Sequence, residues 1–200
     1  MSYATIKNTV PALLEDYAKD HGGRRPDIVV HLGIAVARGY YSVETQAHRD
    51  SYRLPDINGK SGLQDGELQW RQLELPAILK AGCAIDSRAT TDEPSSPPPS
   101  VAKPHANPSP PDEHFLSVWK TFGPPKSDLR ISSDAGRYAC EFILYTSLAH
   151  AFLAGQDRNA AFLHVPGFCN EEDIERGRNI TIAFIKALVT CWFDEAGTEQ

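Results

Sequence analysis

Residues 129–165 read LRISSDAGRYACEFILYTSLAHAFLAGQDRNAAFLHV, and this stretch decides the fold. Residues 129–133 have the pattern of a short strand, and residues 160–165 form a second apolar run of strand character. Between them, residues 137–153 form a strong helical pattern. Its apolar stripe consists of Phe142, Tyr145, Ala149 and Phe152. A strand, a helix and a strand in succession are typical of an α/β fold.

The sequence before this stretch continues the alternation. A first helix is predicted from apolar residues that share one helical face, with Pro11 in the same segment. These residues are Ile6, Val10, Leu13, Leu14 and Tyr17. Residues 27–33 form an apolar run that ends at a glycine, which is typical of a strand buried on both faces of a parallel sheet. Residues 41–48 alternate in period two and predict one strand with a polar face, and residues 68–81 have a helical pattern.

A final helix is predicted after Asn170, which we expect to cap it. Acidic residues fill its first turn, where they favour the positive end of the helix dipole. Its predicted buried face consists of Ile180, Phe184, Ala187, Leu188 and Cys191. The whole alternation predicts an α/β fold, a three-layer α/β/α sandwich with a mostly parallel central sheet.

One segment departs from globular composition. Thr91 to Asp112 holds eight of the 15 prolines, with almost no large apolar side chain between them. Such a segment cannot bury enough surface to offset the entropy of ordering it. We therefore expect a single domain over residues 1–200 with a disordered proline-rich insert at about 91–112. A linker between two domains is the alternative that the composition leaves open.

Charge and cysteine content exclude several classes of protein. The 20 basic and 26 acidic residues give a net charge of −6, and a surface that tracks phosphates is not expected from this balance. No apolar run reaches the roughly 18 residues that span a bilayer, and no signal peptide pattern is present. The four cysteines form no CxxC pair. We expect a cytoplasmic protein that binds no nucleic acid, membrane, metal or cofactor and has free thiols.

Three residues could carry chemistry at one edge of the predicted sheet. Cys140 follows a strand and lies near the first turn of a helix, where the helix dipole is expected to depress the pKa of its thiol. His164 ends the next strand, and Glu44 lies on the polar side of an earlier one. A thiol nucleophile, a histidine base and a carboxylate that orients the imidazole are the groups that covalent acyl transfer requires.

Each of these residues also has a structural interpretation. Cys140 could be a small buried hydrophobic residue, His164 a hydrogen-bonded core histidine and Glu44 a solvated strand residue. His48 is interpreted as structural. Residue types and spacing leave the catalytic and the structural interpretations open.

Four stretches of the chain nevertheless match one known family. Residues 26–33 form a strand that ends in glycine, and Glu44 follows that glycine by eleven residues. Residues 53–59 read RLPDING, residues 134–142 read DAGRYACEF, and residues 162–166 read FLHVP. With these motifs, the sequence resembles pyroglutamyl peptidase type I (pyrrolidone-carboxylate peptidase), a family of cysteine peptidases. The resemblance covers nearly all of the chain except the proline-rich segment and is nearest to eukaryotic members.

The resemblance implies a function and a set of site residues. It implies a cysteine-dependent omega-peptidase that removes the N-terminal pyroglutamyl residue of peptides through a thioester. Cys140 would be the nucleophile, His164 the general base and acid, and Glu44 the group that holds the imidazole. Tyr138 and Ala139 would line the lactam pocket, and Arg53 would lie close to the site. No cofactor is implied, and the oligomeric state is left open.

The chain also departs from the family pattern. The family's first strand and Gly-Phe-x-Pro-Phe turn have no counterpart before Met1, so an N-terminally truncated sheet is expected. Residues 33–38 lack the paired glycines of bacterial members. The alternative function is therefore that of a catalytically impaired member that binds peptides without cleaving them. A nucleoside phosphorylase-like transferase is disfavoured because the sequence has no phosphate-binding glycine-rich loop.

Overall fold

A computed structural model describes residues 1–82 and 111–196, with side chains up to residue 191. The helices are Tyr3–Asp20 (α1), Leu68–Gln72 (α2), Glu113–Phe122 (α3), Ala139–Leu153 (α4) and Glu171–Ala196 (α5), and a π-helical turn at Leu63–Glu67 leads into α2. The strands are Val29–Ala35 (β1), Tyr41–Glu44 (β2), Gln46–His48 (β3), Ile78–Lys80 (β4), Leu129–Ser132 (β5) and Ala160–Pro166 (β6). The insert predicted at about 91–112 lies almost entirely outside the described residues.

The main sheet has four strands in the order β1-β6-β2-β5. β1 and β6 are parallel, β2 and β5 are parallel, and β2 and β6 are antiparallel. Helices α1 and α4 pack on one face, and α3 and α5 pack on the other. The predicted three-layer α/β/α sandwich with a mostly parallel sheet is confirmed. A small second sheet pairs β3 with β4.

Strand β6 supplies both hydrophobic cores because successive side chains point to opposite faces of a sheet. Phe162 is buried with the residues of α1, α2 and α4, whereas Leu163 is buried with those of α3 and α5. Both side chains are almost inaccessible to solvent. The alternation places His164 on the same face as Phe162, beneath the start of α4.

Side-chain caps fix where several helices begin. The Ser2 hydroxyl accepts a hydrogen bond from the Thr5 backbone N–H at 3.1 Å, and the Asp112 carboxylate accepts one from Phe115 at 2.9 Å. The predicted cap of α5 is confirmed, since the Asn170 side-chain oxygen accepts from the Asp173 N–H at 2.8 Å. Each such cap is worth about 1 kcal/mol.

Several local predictions are wrong. Strand β1 is not buried on both faces, because its Leu32 and Ile34, which share one face, are exposed. Residues 41–48 form two strands, β2 and β3, that belong to different sheets. Residues 68–81 form the short α2 followed by β4 rather than one helix. In each case the sheet in which the backbone finds its hydrogen bonds overrides the local pattern.

The buried faces predicted for the helices agree better with the structure than the predicted strands do. All five residues predicted for the buried face of α5 are buried. In α1, Ile6 and Val10 are buried as predicted, but Leu13 and Tyr17 are exposed. Helix α3 was not anticipated by the sequence pattern. Across the described residues, no helix is sufficiently long and apolar to cross a membrane.

Candidate active site

The antiparallel pairing of β2 with β6 brings Glu44 and His164 together. Ser42 lies opposite His164, and Glu44 lies opposite Phe162, so that all four side chains share one face of the sheet. His164 Nδ1 lies 2.7 Å from Glu44 Oε1. Both side chains are buried, with 4% and 0% exposure. An ionised carboxylate only accepts hydrogen bonds, so Nδ1 is the donor to Glu44.

Cys140 reaches the same face from the first turn of α4. The preceding turn depends on Gly136, whose φ of 78° lies in the left-handed region that favours glycine. The thiol lies against Gly33, where an added Cβ would be 2.9 Å from Sγ. Gly33 is the register partner of His164 between β1 and β6. The structure therefore places Glu44, Cys140 and His164 in one region at a single face of the sheet.

The pKa of the Cys140 thiol differs from what its position at a helix start suggests. Burial, together with the neighbouring Glu44 carboxylate, raises its pKa above the usual value, and the Arg38 cation opposes that rise. No hydrogen bond joins Sγ to His164 within the described residues. The predicted depression of the thiol pKa is wrong, because loss of hydration outweighs the helix dipole at this depth. The resting side chain is a neutral thiol.

Arg38 is a site residue that the sequence analysis missed. Its Nη1 donates to Glu44 Oε1 at 2.7 Å and to the Ser42 hydroxyl at 2.6 Å. Its Nη2 donates to the backbone carbonyl of Asp134 at 2.7 Å. Burial alone would raise the pKa of Glu44, but hydrogen bonds from His164, Ser132 and Arg38 hold it below its ordinary value of 4.5. The one sequence signal was a cation six residues before Glu44.

A second buried carboxylate, that of Glu141, follows Cys140 in the chain. Glu141 Oε1 accepts from His48 Nδ1 at 2.7 Å and from the His48 backbone N–H at 3.2 Å. Its Oε2 accepts from Arg137 Nη1 at 2.7 Å, and Arg137 also contacts Asp134 Oδ1 at 2.8 Å. Burial raises the pKa of Glu141 in spite of these partners. The cluster ties the start of α4 to β3 and gives His48 the structural partner expected of it.

The residues predicted to line a substrate pocket lie in two places. Tyr138 precedes α4 and is partly exposed, with its ring centroid 5.9 Å from that of Tyr3, and the half-buried Ala139 begins the helix. Arg53 is exposed in a groove that also includes Glu67 and Arg71. In the described part of the chain, no hydrogen bond or ion pair joins the Arg53 side chain to Glu44, Cys140 or His164.

The turn that contains Arg53 has a structural role of its own. The Asp56 carboxylate accepts hydrogen bonds from the backbone N–H groups of Tyr3, Asn58 and Lys60 at 2.8–3.0 Å. The Tyr3 hydroxyl donates to the carbonyl of Leu54 at 3.0 Å. These bonds fasten the turn to the start of α1, whose Tyr3 packs against Tyr138.

Comparison with known proteins gives a sequence match to a curated relative. The chain is 27% identical over 143 residues to the pyrrolidone-carboxylate peptidase of Pyrococcus furiosus, a match that covers 71% of this chain. The match spans 52% of that relative, about half its length. No family model matches the chain.

Solved structures match over most of the fold. A mutant pyrrolidone carboxyl peptidase from P. furiosus superposes with a TM-score of 0.55 at 18% identity, covering 94% of this chain and 78% of that one. Pyroglutamyl peptidase I from Bacillus amyloliquefaciens gives a TM-score of 0.53 at 18% identity, with coverage of 92% and 73%. At these identities the structural likeness establishes the fold.

Proposed function

We propose that this chain, whose resemblance to the pyroglutamyl peptidase I family is confirmed by sequence and fold, is a cysteine-dependent omega-peptidase that removes N-terminal pyroglutamyl residues. The observation that carries the proposal is the buried His164–Glu44 pair at 2.7 Å on the sheet face that Cys140 contacts. A thiol, an imidazole and an orienting carboxylate form the minimum set for covalent acyl transfer.

In the proposed reaction, Cys140 Sγ attacks the carbonyl carbon of the pyroglutamyl residue, and His164 Nε2 takes the thiol proton. The C–N bond then breaks as His164 returns this proton to the leaving amine, which leaves a thioester. Water attacks the thioester with His164 as base, and pyroglutamate departs as the thiol regains its proton. Glu44 keeps the imidazole in one tautomer and stabilises its charged form throughout.

The raised thiol pKa decides how the nucleophile is activated. Because Cys140 is neutral at rest, activation requires transfer of its proton to His164. No side chain caps α4 at Tyr138. The backbone N–H groups of the first helical turn therefore supply donors for the oxyanion that develops beside Cys140.

The proposed substrates are peptides with an N-terminal pyroglutamyl group. The lactam is neutral and has no free α-amino group, so its recognition requires apolar contacts and hydrogen bonds rather than an ion pair. Tyr138 and Ala139 lie directly before Cys140, at the proposed lactam pocket. The exposed Arg53 is assigned to the outer part of the site, and a cytoplasmic setting is part of the proposal.

Hydrolysis of a pyroglutamyl arylamide tests this function. We expect release of the arylamine by the wild-type chain, and its loss in Cys140→Ala and His164→Ala. Cys169→Ala is the matched control, because Cys169 is exposed and takes no part in the proposed site. Equal turnover by wild type and Cys140→Ala would contradict the proposal.

A second candidate function is binding of pyroglutamyl peptides without cleavage. It is favoured by the raised thiol pKa and by the lack of a hydrogen bond between the described Cys140 and His164 side chains. Calorimetric titration with a pyroglutamyl peptide distinguishes the two functions. Saturable binding by wild type with no arylamide turnover would support the second function over the first.

A further inference from the structure

Arg38 joins two parts of the proposed site that come from distant parts of the sequence. It lies in the connection between β1 and β2, and its side chain is 21% exposed. One guanidinium nitrogen donates to Glu44 Oε1 and the other to the carbonyl of Asp134, each at 2.7 Å. A planar guanidinium holds such a pair of acceptors in fixed geometry, which a lysine ammonium cannot do.

The Asp134 end of this bridge belongs to residues 134–138, the turn directly before the helix that carries the nucleophile. The Asp134 carboxylate accepts hydrogen bonds from the Gly136 N–H at 3.0 Å and from Arg137 Nη1 at 2.8 Å. These bonds make the turn before α4 a stiff unit. The position of the Asp134 carbonyl is therefore coupled to that of Cys140, the second residue of the helix.

The charge of Arg38 acts on both the Glu44 carboxylate and the Cys140 thiol. The titratable groups around Glu44 are His164 from β6, Cys140 from α4 and Arg38 itself. Of these, Arg38 alone is permanently charged at neutral pH. It favours the ionised form of the buried Glu44 carboxylate. A protonated Glu44 would be a poorer acceptor for His164 Nδ1.

We propose that Arg38 is a positioning residue that holds Glu44 against the turn before α4 and thereby sets the distance between His164 and Cys140. The inference rests on the proposed function for its meaning in catalysis, but the bridge itself is a feature of the fold. Arg38 does not contact the reacting carbonyl in this scheme and acts through Glu44 and Asp134.

Kinetics of Arg38→Met and Arg38→Lys test the proposal. We expect Arg38→Met to lower kcat about 100-fold with little change in KM, since misplacement by about 1 Å costs that much. In the pH profile of kcat/KM for Arg38→Met, the acid limb, where activity falls as the pH drops, should move to higher pH. Arg38→Lys restores the charge but not the bridge, so it should recover the acid limb and only part of kcat. Arg178→Met is the control, because Arg178 is exposed and forms its ion pair with Glu175, three residues away on the same helix.

A readout independent of turnover separates this proposal from the proposed function. The rate of Cys140 alkylation by iodoacetamide, followed between about pH 7 and 11, reports the titration of the thiol. Loss of the Arg38 cation should move this titration to higher pH in Arg38→Met and not in Arg38→Lys or Arg178→Met. A wild type without peptidase activity that shows this shift would refute the function and support the inference.

The inference would be overturned if the pH titration of Cys140 alkylation were unchanged in Arg38→Met. It would also be overturned if the wild type is active and Arg38→Met keeps the wild-type kcat and the wild-type pH profile. Circular dichroism at the assay temperature identifies a variant that does not fold. If Arg38→Met unfolds, Arg38→Lys decides alone. A wild-type kcat in Arg38→Lys would show that the bridge to Asp134 has no positioning role.

Discussion

The buried carboxylate of Glu141 accepts two hydrogen bonds from His48, one from the ring and one from the backbone N–H. This gives the start of α4 a second histidine–carboxylate pair, at the residue that follows Cys140 in the chain. The pKa values of the two carboxyl groups shift in opposite directions, that of Glu141 upward and that of Glu44 downward. Each carboxylate has a histidine and an arginine partner, but the Ser132 side chain gives Glu44 a further hydrogen bond, and its partners together outweigh burial, whereas burial prevails at Glu141.

Glu44→Gln should reduce stability at neutral pH and flatten the loss of stability in acid. The pKa of Glu44 is below 4.5 in the folded chain, so its contribution is fully present above that pH and is lost as the pH falls through the folded value. We expect a loss of about 1–3 kcal/mol in the free energy of unfolding at pH 7. Urea denaturation between about pH 3 and 8 measures it. A parallel offset at every pH would contradict the prediction.

Glu141→Gln should change the pH dependence in the opposite sense. The folded pKa of Glu141 lies above 4.5, so its contribution to stability is greatest below that pH and declines as the pH rises through the folded value. The wild type should therefore lose stability relative to Glu141→Gln across this range. The same urea series provides the measurement, with the Glu44 variant as the matched comparison. A gap between wild type and variant that widens in favour of wild type with rising pH would show the sign to be wrong.

Gly33→Ala should damage both stability and activity. The new Cβ would lie 2.5 Å from the Phe162 ring and 2.9 Å from Cys140 Sγ, so that the sheet and the nucleophile cannot both keep their places. We expect a loss of about 1–3 kcal/mol and a fall in pyroglutamyl arylamide turnover. Gly39→Ala is the control, since nothing lies within 4 Å of its added Cβ. Equal melting temperatures for the two variants would argue against this packing.

Alkylation at pH 7 should favour Cys169 over Cys140. Burial raises the pKa of the Cys140 thiol and limits access to it, whereas Cys169 is exposed. We expect a several-fold slower rate for Cys140, measured by mass mapping after brief treatment with iodoacetamide. Faster labelling of Cys140 would show that His164 already activates the thiol in the free protein.

His31 should contribute to the pH dependence of stability in weak acid. Burial lowers its pKa from 6.5 to about 4, and its Nε2 lies 2.8 Å from the Ser147 hydroxyl. Between these pH values the unfolded chain binds the proton that the folded chain excludes, so stability falls as the pH drops from 6.5 to about 4. His31→Asn should make this part of the profile flatter. His114→Asn, on the outer part of α3, is the control variant, and an identical slope in wild type and His31→Asn would contradict the prediction.

The sequence by itself determined the elements whose signals are local. The apolar period of α5 is confirmed by five buried residues, and its cap at Asn170 forms as predicted. The strand–helix–strand order of residues 129–165 is likewise present, with β5, α4 and β6 close to their predicted bounds. Such features depend on neighbours within a few residues, so periodicity and capping chemistry are sufficient to predict them.

Only the tertiary structure decided which side chains meet. Arg38 contacts a carbonyl 96 residues away, Glu141 contacts a histidine 93 residues away, and His164 meets Glu44 across 120 residues. The last pairing was expected from the family resemblance, whereas the Arg38 and Glu141 contacts had no sequence signal that singled them out. The raised pKa of Cys140 belongs here too, because desolvation depends on how deeply the packed sheet and helices bury the thiol. Sequence spacing specifies the helix start, and the packing around it determines the thiol's charge.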